Sequence, residues 1–438
     1  MRAAVVRPFL LVAALLAARP SPAQTAAPAA GETVAIRAAR LLDPASGKVA
    51  APAVVLVEGG KIRAAGSGVA VPPGARVLDL GGATLLPGLV DCHTHLVGDS
   101  TDADPFTELT RTAAQRAYEA IPNAEKTLAA GFTTVRDLGT YRAFVDVALR
   151  DAIAKGWVAG PRMLAAGAYV TITGGGGAIT GVAPDVVLPL DLRFGVADGP
   201  DEVRRRVRAI AERGVDVIKV IATGAFLAHG SNPGSPEYTA AELSAAVEEA
   251  SKKGLKVAAH AHSAAGIRLA VEAGVASIEH GTYLDDEGIR LMKARGTFLV
   301  ADIYDAEWIR QGANAGMPQD FADKNPEADE IQRRNFEKAV RAGVKIAYGT
   351  DAGVYPHGLN ARQLAWQVRY GQTPMEAIRS ATASAAELLG RSGEIGSLAP
   401  GASADLIAVS RDPLTDVRAL EDVAFVMKAG KVVKDTRR

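Results

Sequence analysis

The chain has 438 residues, 49 basic against 49 acidic side chains, seven histidines and one cysteine. That length excludes a single small core and predicts two or three domains, or one large barrel with an accessory part. The balanced charge, with no long run of either sign, excludes binding to nucleic acid through phosphate contacts, and a lone Cys92 excludes an intramolecular disulfide.

Residues 1–23 place Arg2 and Arg7 ahead of an apolar segment and end in Ser21-Pro22-Ala23, small residues of the kind a signal peptidase reads. They predict a cleaved secretory signal, a chain that begins near Gln24 and a periplasmic or secreted protein; a retained N-terminal anchor is the competing reading. The apolar stretch is short for a membrane span and no second candidate follows, so no membrane partner is expected.

From 24 to 86, short alternating segments such as AVVLVEGGKIRAAG and ARVLDLGG are broken by Gly pairs and Pro-Pro, as antiparallel hairpins are. The same texture returns over 391–438, in GSLAPGASADLIAVSRD and VAFVMKAGKVVKD. Both chain ends are expected to build one small β-sandwich domain.

The middle, 87–390, has another rhythm, in which a helical stretch runs to a glycine and an apolar β-rich run follows. It reads LAAGFTTVRD, AERGVDVIKV, SKKGLKVAAH, VEAGVASIEH, KARGTFLVAD and RAGVKIAYGTD. Gly131, Gly214, Gly254, Gly274, Gly296 and Gly343 sit where a helix C-terminus takes a left-handed residue. The helix before Gly254 opens with a capping box, Thr239 with Glu242. Adding LVDCHTH and PRMLAAGAYVT gives eight strands, each nearly continuous in apolar residues, as strands buried on both faces are. The expected fold class is α/β, a (β/α)8 TIM-type barrel; a doubly wound open sheet is the alternative.

The strand ends carry the chemistry. His93 and His95, two apart on a strand, face one side and can aim two imidazoles at one ion; the bland reading is two polar residues at a strand end. Cys92, between Asp91 and His93, should face away as a small core residue. The fourth strand supplies Lys219, the fifth His260 and His262, the sixth His280 and the eighth Asp351. In a barrel these ends gather at one mouth, so five of the seven histidines converge with an aspartate, which packing alone does not explain.

The order His-x-His, Lys, His, His, Asp along eight βα units resembles the amidohydrolase superfamily, over nearly the whole chain beyond the leader. GVDVIKVIATGA, AHAHSAAGIRLA, SIEHGT and GTDAGVYPHGLNARQ are similar to a branch of metallo-dipeptidases and carboxypeptidases, the Xaa-Arg/Xaa-Pro dipeptidase and ochratoxin amidase relatives. One departure is the loop TITGGGGAITG, with Gly174 to Gly177 where many relatives carry a histidine. It is expected to bring backbone N–H groups to substrate or, alternatively, to serve as a lid, but it lacks the Lys and Ser/Thr of a phosphate loop.

The resemblance implies two divalent ions with Lys219 carboxylated as their bridge; a lysine paired with a carboxylate is the plain alternative. It further implies His93, His95 and Asp351 on one ion and His260 and His280 on the other. Zinc suits such ligands, as do manganese and cobalt. Asp351 is expected to take a proton from the attacking water and return it to the departing amine. His262 is expected to hydrogen-bond substrate or to act as a structural partner of a ligand. Loop residues His229, Tyr238 and His357 are weaker substrate contacts. The implied substrate is a dipeptide or N-acyl amino acid with a free carboxylate beside the scissile amide, ochratoxin A-type amides included, and the implied assembly is a homo-oligomer as large as an octamer. The alternatives are a cyclic-amide hydrolase of the hydantoinase or imidazolonepropionase sort and a catalytically inert barrel that binds a partner.

Overall fold

The computed structural model describes residues 32–98, 107–309 and 327–437; the expected secretory signal over 1–23 lies outside them. The first seven strands are β1 (Thr33–Ala38), β2 (Arg40–Asp43), β3 (Lys48–Ala50), β4 (Ala53–Glu58), β5 (Lys61–Gly66), β6 (Arg76–Asp79) and β7 (Thr84–Pro87). The last three are β16 (Leu406–Val409), β17 (Phe425–Lys428) and β18 (Lys431–Asp435). One sheet runs β5-β4-β1-β6 and the other β18-β17-β16-β7-β2-β3. Both chain ends therefore share a sheet, joined where β16 pairs antiparallel with β7. Val34, Ile36 and Val55 of the first sheet pack with Leu85, Leu406 and Phe425 of the second in one apolar cluster. Burying side chains of this size stabilises by about 1.5–3 kcal/mol each.

The middle carries β8 (Leu89–Thr94), β9 (Phe132–Asp137), β10 (Arg162–Ala165), β11 (Tyr169–Val170), β12 (Val217–Ile221), β13 (Lys256–Ala261), β14 (Ser277–His280) and β15 (Phe298–Val300). They pair in parallel as β10-β9-β8 and β11-β12-β13-β14-β15. The six junction glycines all have positive φ, from 69° at Gly254 to 97° at Gly131, and the Thr239–Glu242 capping box is formed. Helix Pro200–Glu212 buries Val203, Val207 and Ile210, one face at helical spacing, against Ile218 and Val220 of β12.

Two strands depart from the sequence reading. The third run is split into β10 and β11, because Gly167, at φ 78°, turns the chain and its N–H is held by the buried Asp146 carboxylate at 2.8 Å. The eighth run is no regular strand, only bridges from Ile346 to Leu299 and from Ala352 to Thr94. Its backbone still bonds both neighbours: Leu299 N–H donates to Lys345 O at 2.9 Å and Cys92 N–H to Tyr348 O at 2.8 Å. Asp216 N–H donates to Ala165 O at 2.9 Å, tying β10 to the start of β12. Among the described residues no helix is long and apolar enough to cross a membrane.

Candidate metal centre

Strand alternation decides what enters the centre. On β8, Val90 and the fully buried Cys92 pack outward with Val300 and Ala347, which leaves Asp91, His93 and, one residue past the strand, His95 on the inner side. On β12, Ile218 and Val220 pack outward and Lys219 points in; on β13, Ala259 and Ala261 pack outward and His260 and His262 point in. His280 follows inward-facing Glu279 and would face out, but its φ of 68° breaks the alternation and brings its ring to the others. Asp351, at φ 54°, is likewise left-handed. Of the four non-glycine residues with positive φ among the described residues, these two fall in one cluster and mark strain held by the surrounding fold.

The rings of His93, His95, His260, His262 and His280 form one chain of contacts, with centroids 4.4 to 5.3 Å apart. His93 Nε2 and His95 Nε2 lie 3.4 and 3.2 Å from Asp351 Oδ1. Donor atoms of His93, His280 and Asp351 fall within 4.8 Å of one another, as do those of His260, His262 and His280, so His262 stands inside the second trio rather than beyond it. Burial drives His260 and His262 well below the ordinary imidazole range, and His93 too, where nearby Lys219 adds to the effect. Neutral imidazoles offer the lone pairs a cation needs. Burial alone would raise Asp351, but the His93 and His95 imidazoles outweigh it and hold the carboxyl well below its usual range.

Lys219 is 2 % exposed and has no ion-pair or hydrogen-bond partner among the described residues. Burial pushes its amine down to about 8. A buried amine without an anion is costly as an ammonium ion. The plain alternative, a lysine paired directly with a carboxylate, is not what the described residues form.

The structure also brings in groups the sequence reading did not assign. Asp91 accepts from His93 N–H, Thr350 Oγ1 and Asn360 Nδ2, tying β8 to the segment that carries Asp351; its burial outweighs these bonds and pushes its carboxyl up to about 6. Asp302 accepts from His280 Nδ1 at 2.7 Å and from Gln332 Nε2 at 2.8 Å. Gly139 O takes His95 Nδ1 at 2.8 Å, with Tyr169 Oη 3.3 Å from the same nitrogen. A polar residue ending the seventh apolar run was the available signal for Asp302.

The loop residues separate. Tyr238 is spent on packing: its ring lies in the largest apolar cluster and its hydroxyl donates to Ala197 O at 3.0 Å. His229 is half-buried, and its carbonyl accepts from Thr180 Oγ1. His357 is buried with Nε2 3.3 Å from Gly98 O, just beyond β8. A cavity of about 580 Å³ opens between Ser231, Asn232, Ser263 and Tyr283.

The tetraglycine loop is packed in place. Gly176 N–H donates to the Glu237 carboxylate at 2.9 Å and Gly177 N–H to Thr171 Oγ1 at 3.3 Å, so these donors are spent inside the protein. A Cβ on Gly176 would lie 2.9 Å from Ala225 Cβ and 3.0 Å from its backbone nitrogen. Gly176→Ala is expected to destabilise the fold by about 1–3 kcal/mol through overpacking. Thermal unfolding checks this, and an unchanged Tm would count against a tightly packed loop.

Residues 84–433 match the Amidohydrolase family. The chain is 35% identical over 375 residues to the ochratoxinase of Aspergillus niger, covering 80% of this chain and 75% of that protein. Its structure is similar to that of a Xaa-Pro dipeptidase with bound methionine in the active site (36% identity, TM-score 0.85, 92% of this chain and 99% of the other). It is also similar to a prolidase complexed with N-methylphosphonate-L-proline (29% identity, TM-score 0.85, 92% and 100%). These neighbours have the TIM-type barrel, which accounts for the parallel strands and the gathering of their C-terminal ends. The chain belongs to the amidohydrolase family, hydrolases that act on amide bonds.

Proposed function

We propose that this amide hydrolase depends on two divalent metal ions, zinc by preference, and cleaves dipeptides or N-acyl amino acids next to a free carboxylate. The observation that carries the reading is a cluster of five imidazoles, His93, His262 and His280 buried and His95 and His260 half-buried, with Asp351 and a Lys219 amine that has no ion-pair partner among the described residues. Neutral imidazoles, one carboxylate and a lysine convertible to an anion form a donor set that fits two such ions. His93, His95 and Asp351 would hold one, His260 and His280 the other, and a carboxylated Lys219 would bridge them. Bound there, the ions would supply Lewis acidity toward the scissile carbonyl and acidify the attacking water.

The chain's own groups do the rest. Asp351, whose Oδ1 lies 3.4 and 3.2 Å from His93 Nε2 and His95 Nε2, takes the proton of the attacking water and delivers it to the leaving nitrogen, which departs as an amine. His262, fixed through Nδ1 to Thr282 Oγ1 at 2.8 Å, keeps its second ring nitrogen for the substrate carbonyl oxygen or carboxylate. Ochratoxin A-type amides and Xaa-Pro dipeptides belong in the substrate panel, on the strength of the relatives' names. The proposed architecture is a closed (β/α)8 barrel over 87–390, with a two-sheet sandwich from 24–86 and 391–438. Export through residues 1–23 and a homo-oligomer complete the proposal; N-terminal sequencing of exported protein and its mass in solution test them.

Converting the substrate carboxylate to its amide is expected to lower kcat/KM about ten- to a hundred-fold, the loss of a charge-assisted hydrogen bond of about 1.5–3 kcal/mol. Metal-loaded protein assayed on matched acid and amide pairs reads this out. Equal rates would reject the carboxylate requirement.

A further inference from the structure

Three of the imidazoles are steered by an Nδ1 contact away from the centre: His95 by Gly139 O, His262 by Thr282 Oγ1 and His280 by Asp302 Oδ2. The fourth case has a different chemistry. His93 Nδ1 faces Glu279 Oε2 at 3.2 Å, with side chains 1% and 0% exposed. Neither atom has another hydrogen-bond partner among the described residues, so there each is the other's means of satisfaction. The second oxygen, Glu279 Oε1, is already occupied by Arg136 Nη2 at 2.9 Å and by the Ser277 hydroxyl. Arg136, on β9, is itself fixed by donating through Nε to Cys92 O and through Nη1 to Ser277 Oγ at 3.1 Å. A charged buttress thus crosses from β9 to β14 and ends on the back of His93.

We infer that Glu279 is a positioning residue: it accepts the proton of His93 Nδ1–H, fixes that tautomer, and so aims the Nε2 lone pair at the centre. The inference rests on the metal-dependent reading above. Arg136 makes it sharp, because a guanidinium only donates. In Glu279→Gln the amide oxygen must turn toward Arg136, which leaves the amide NH2 facing His93 Nδ1. That NH2 can only donate, so it selects the opposite tautomer, with the proton on Nε2 and no lone pair left for an ion. A near-isosteric change therefore removes one ligand without touching it.

The test uses full-length protein loaded with zinc or cobalt. Glu279→Gln is expected to hold one of its ions about ten- to a hundred-fold more weakly in chelator competition. The visible spectrum of its cobalt form should show a changed ligand field. A purely structural role would lower Tm and leave both readouts unmoved. In wild-type protein labelled with 15N-histidine and loaded with zinc, long-range 1H–15N NMR should find His93 protonated on Nδ1; this needs no variant to fold. Wild-type affinity and spectrum in Glu279→Gln, or His93 protonated on Nε2 in the wild type, would overturn the inference. A wild-type chain that takes up no divalent ion would overturn the metal reading, and the inference with it.

Discussion

Asp351→Asn is expected to lower kcat by about 10²- to 10⁴-fold while KM changes little. The substitution keeps the shape of the side chain and one neutral oxygen beside the His93 and His95 nitrogens, 3.4 and 3.2 Å away. What it removes is the charge and the ability to accept a proton and return it. The position is hard to replace by a neighbour: Asp302 is committed to His280 and Gln332. Asp305, close by, is held well above the ordinary carboxyl range by burial and by the charges of Asp302 and Asp351. Steady-state kinetics with metal analysis of the same sample decide the point. An asparagine variant with more than a tenth of wild-type kcat would remove Asp351 from proton transfer.

The placement of the strand-end histidines was legible because period-two alternation and apolar runs are local properties. His93 with His95, and His260 with His262, share a side for the reason any two residues two apart on a strand do. The junction glycines were legible for the same reason, since a left-handed helix terminus leaves a one-residue signature. The regularity of the eighth run was overread. KIAYGTD looks like a strand, but Asp351 at φ 54° turns its carboxylate into the centre at the expense of regular pairing. His280 departs from alternation in the same way, and the sequence carries no mark of it.

Contacts between distant positions could not be read from one sequence. Arg136 and Glu279 each stand as a charge inside an apolar run, which hints at a buried partner, but the two are 143 residues apart. Tyr238 shows the opposite error. Its place in a loop near the mouth suggested a substrate contact, yet the side chain folds back into the core, and its neighbour Glu237 is the one that clamps the tetraglycine loop. Which way a loop residue turns depends on the space left by strands that the local sequence does not describe.

Lys219→Ala is expected to bind the second ion weakly and to lose nearly all activity. Without an oxygen anion from position 219, that ion keeps only imidazole ligands, and neutral imidazoles do nothing to balance the charge of two cations held in a buried site. Lys219→Glu should keep part of the metal, because it supplies a carboxylate on a shorter stem. In the proposed centre the wild-type lysine would gain its anion from dissolved carbon dioxide, captured by its neutral amine; burial favours that neutral form. Bicarbonate is then expected to act as a reagent in assembly, an outcome that a structural lysine would not produce.

The most direct measurement is reconstitution of metal-free wild-type protein with zinc, in carbon-dioxide-free buffer and in buffer with bicarbonate, counting bound ions and turnover beside Lys219→Ala. Two ions per chain and full amide hydrolysis are expected only when bicarbonate is present, with the alanine variant deficient under both conditions. Two tightly held ions and full turnover in Lys219→Ala would contradict this expectation.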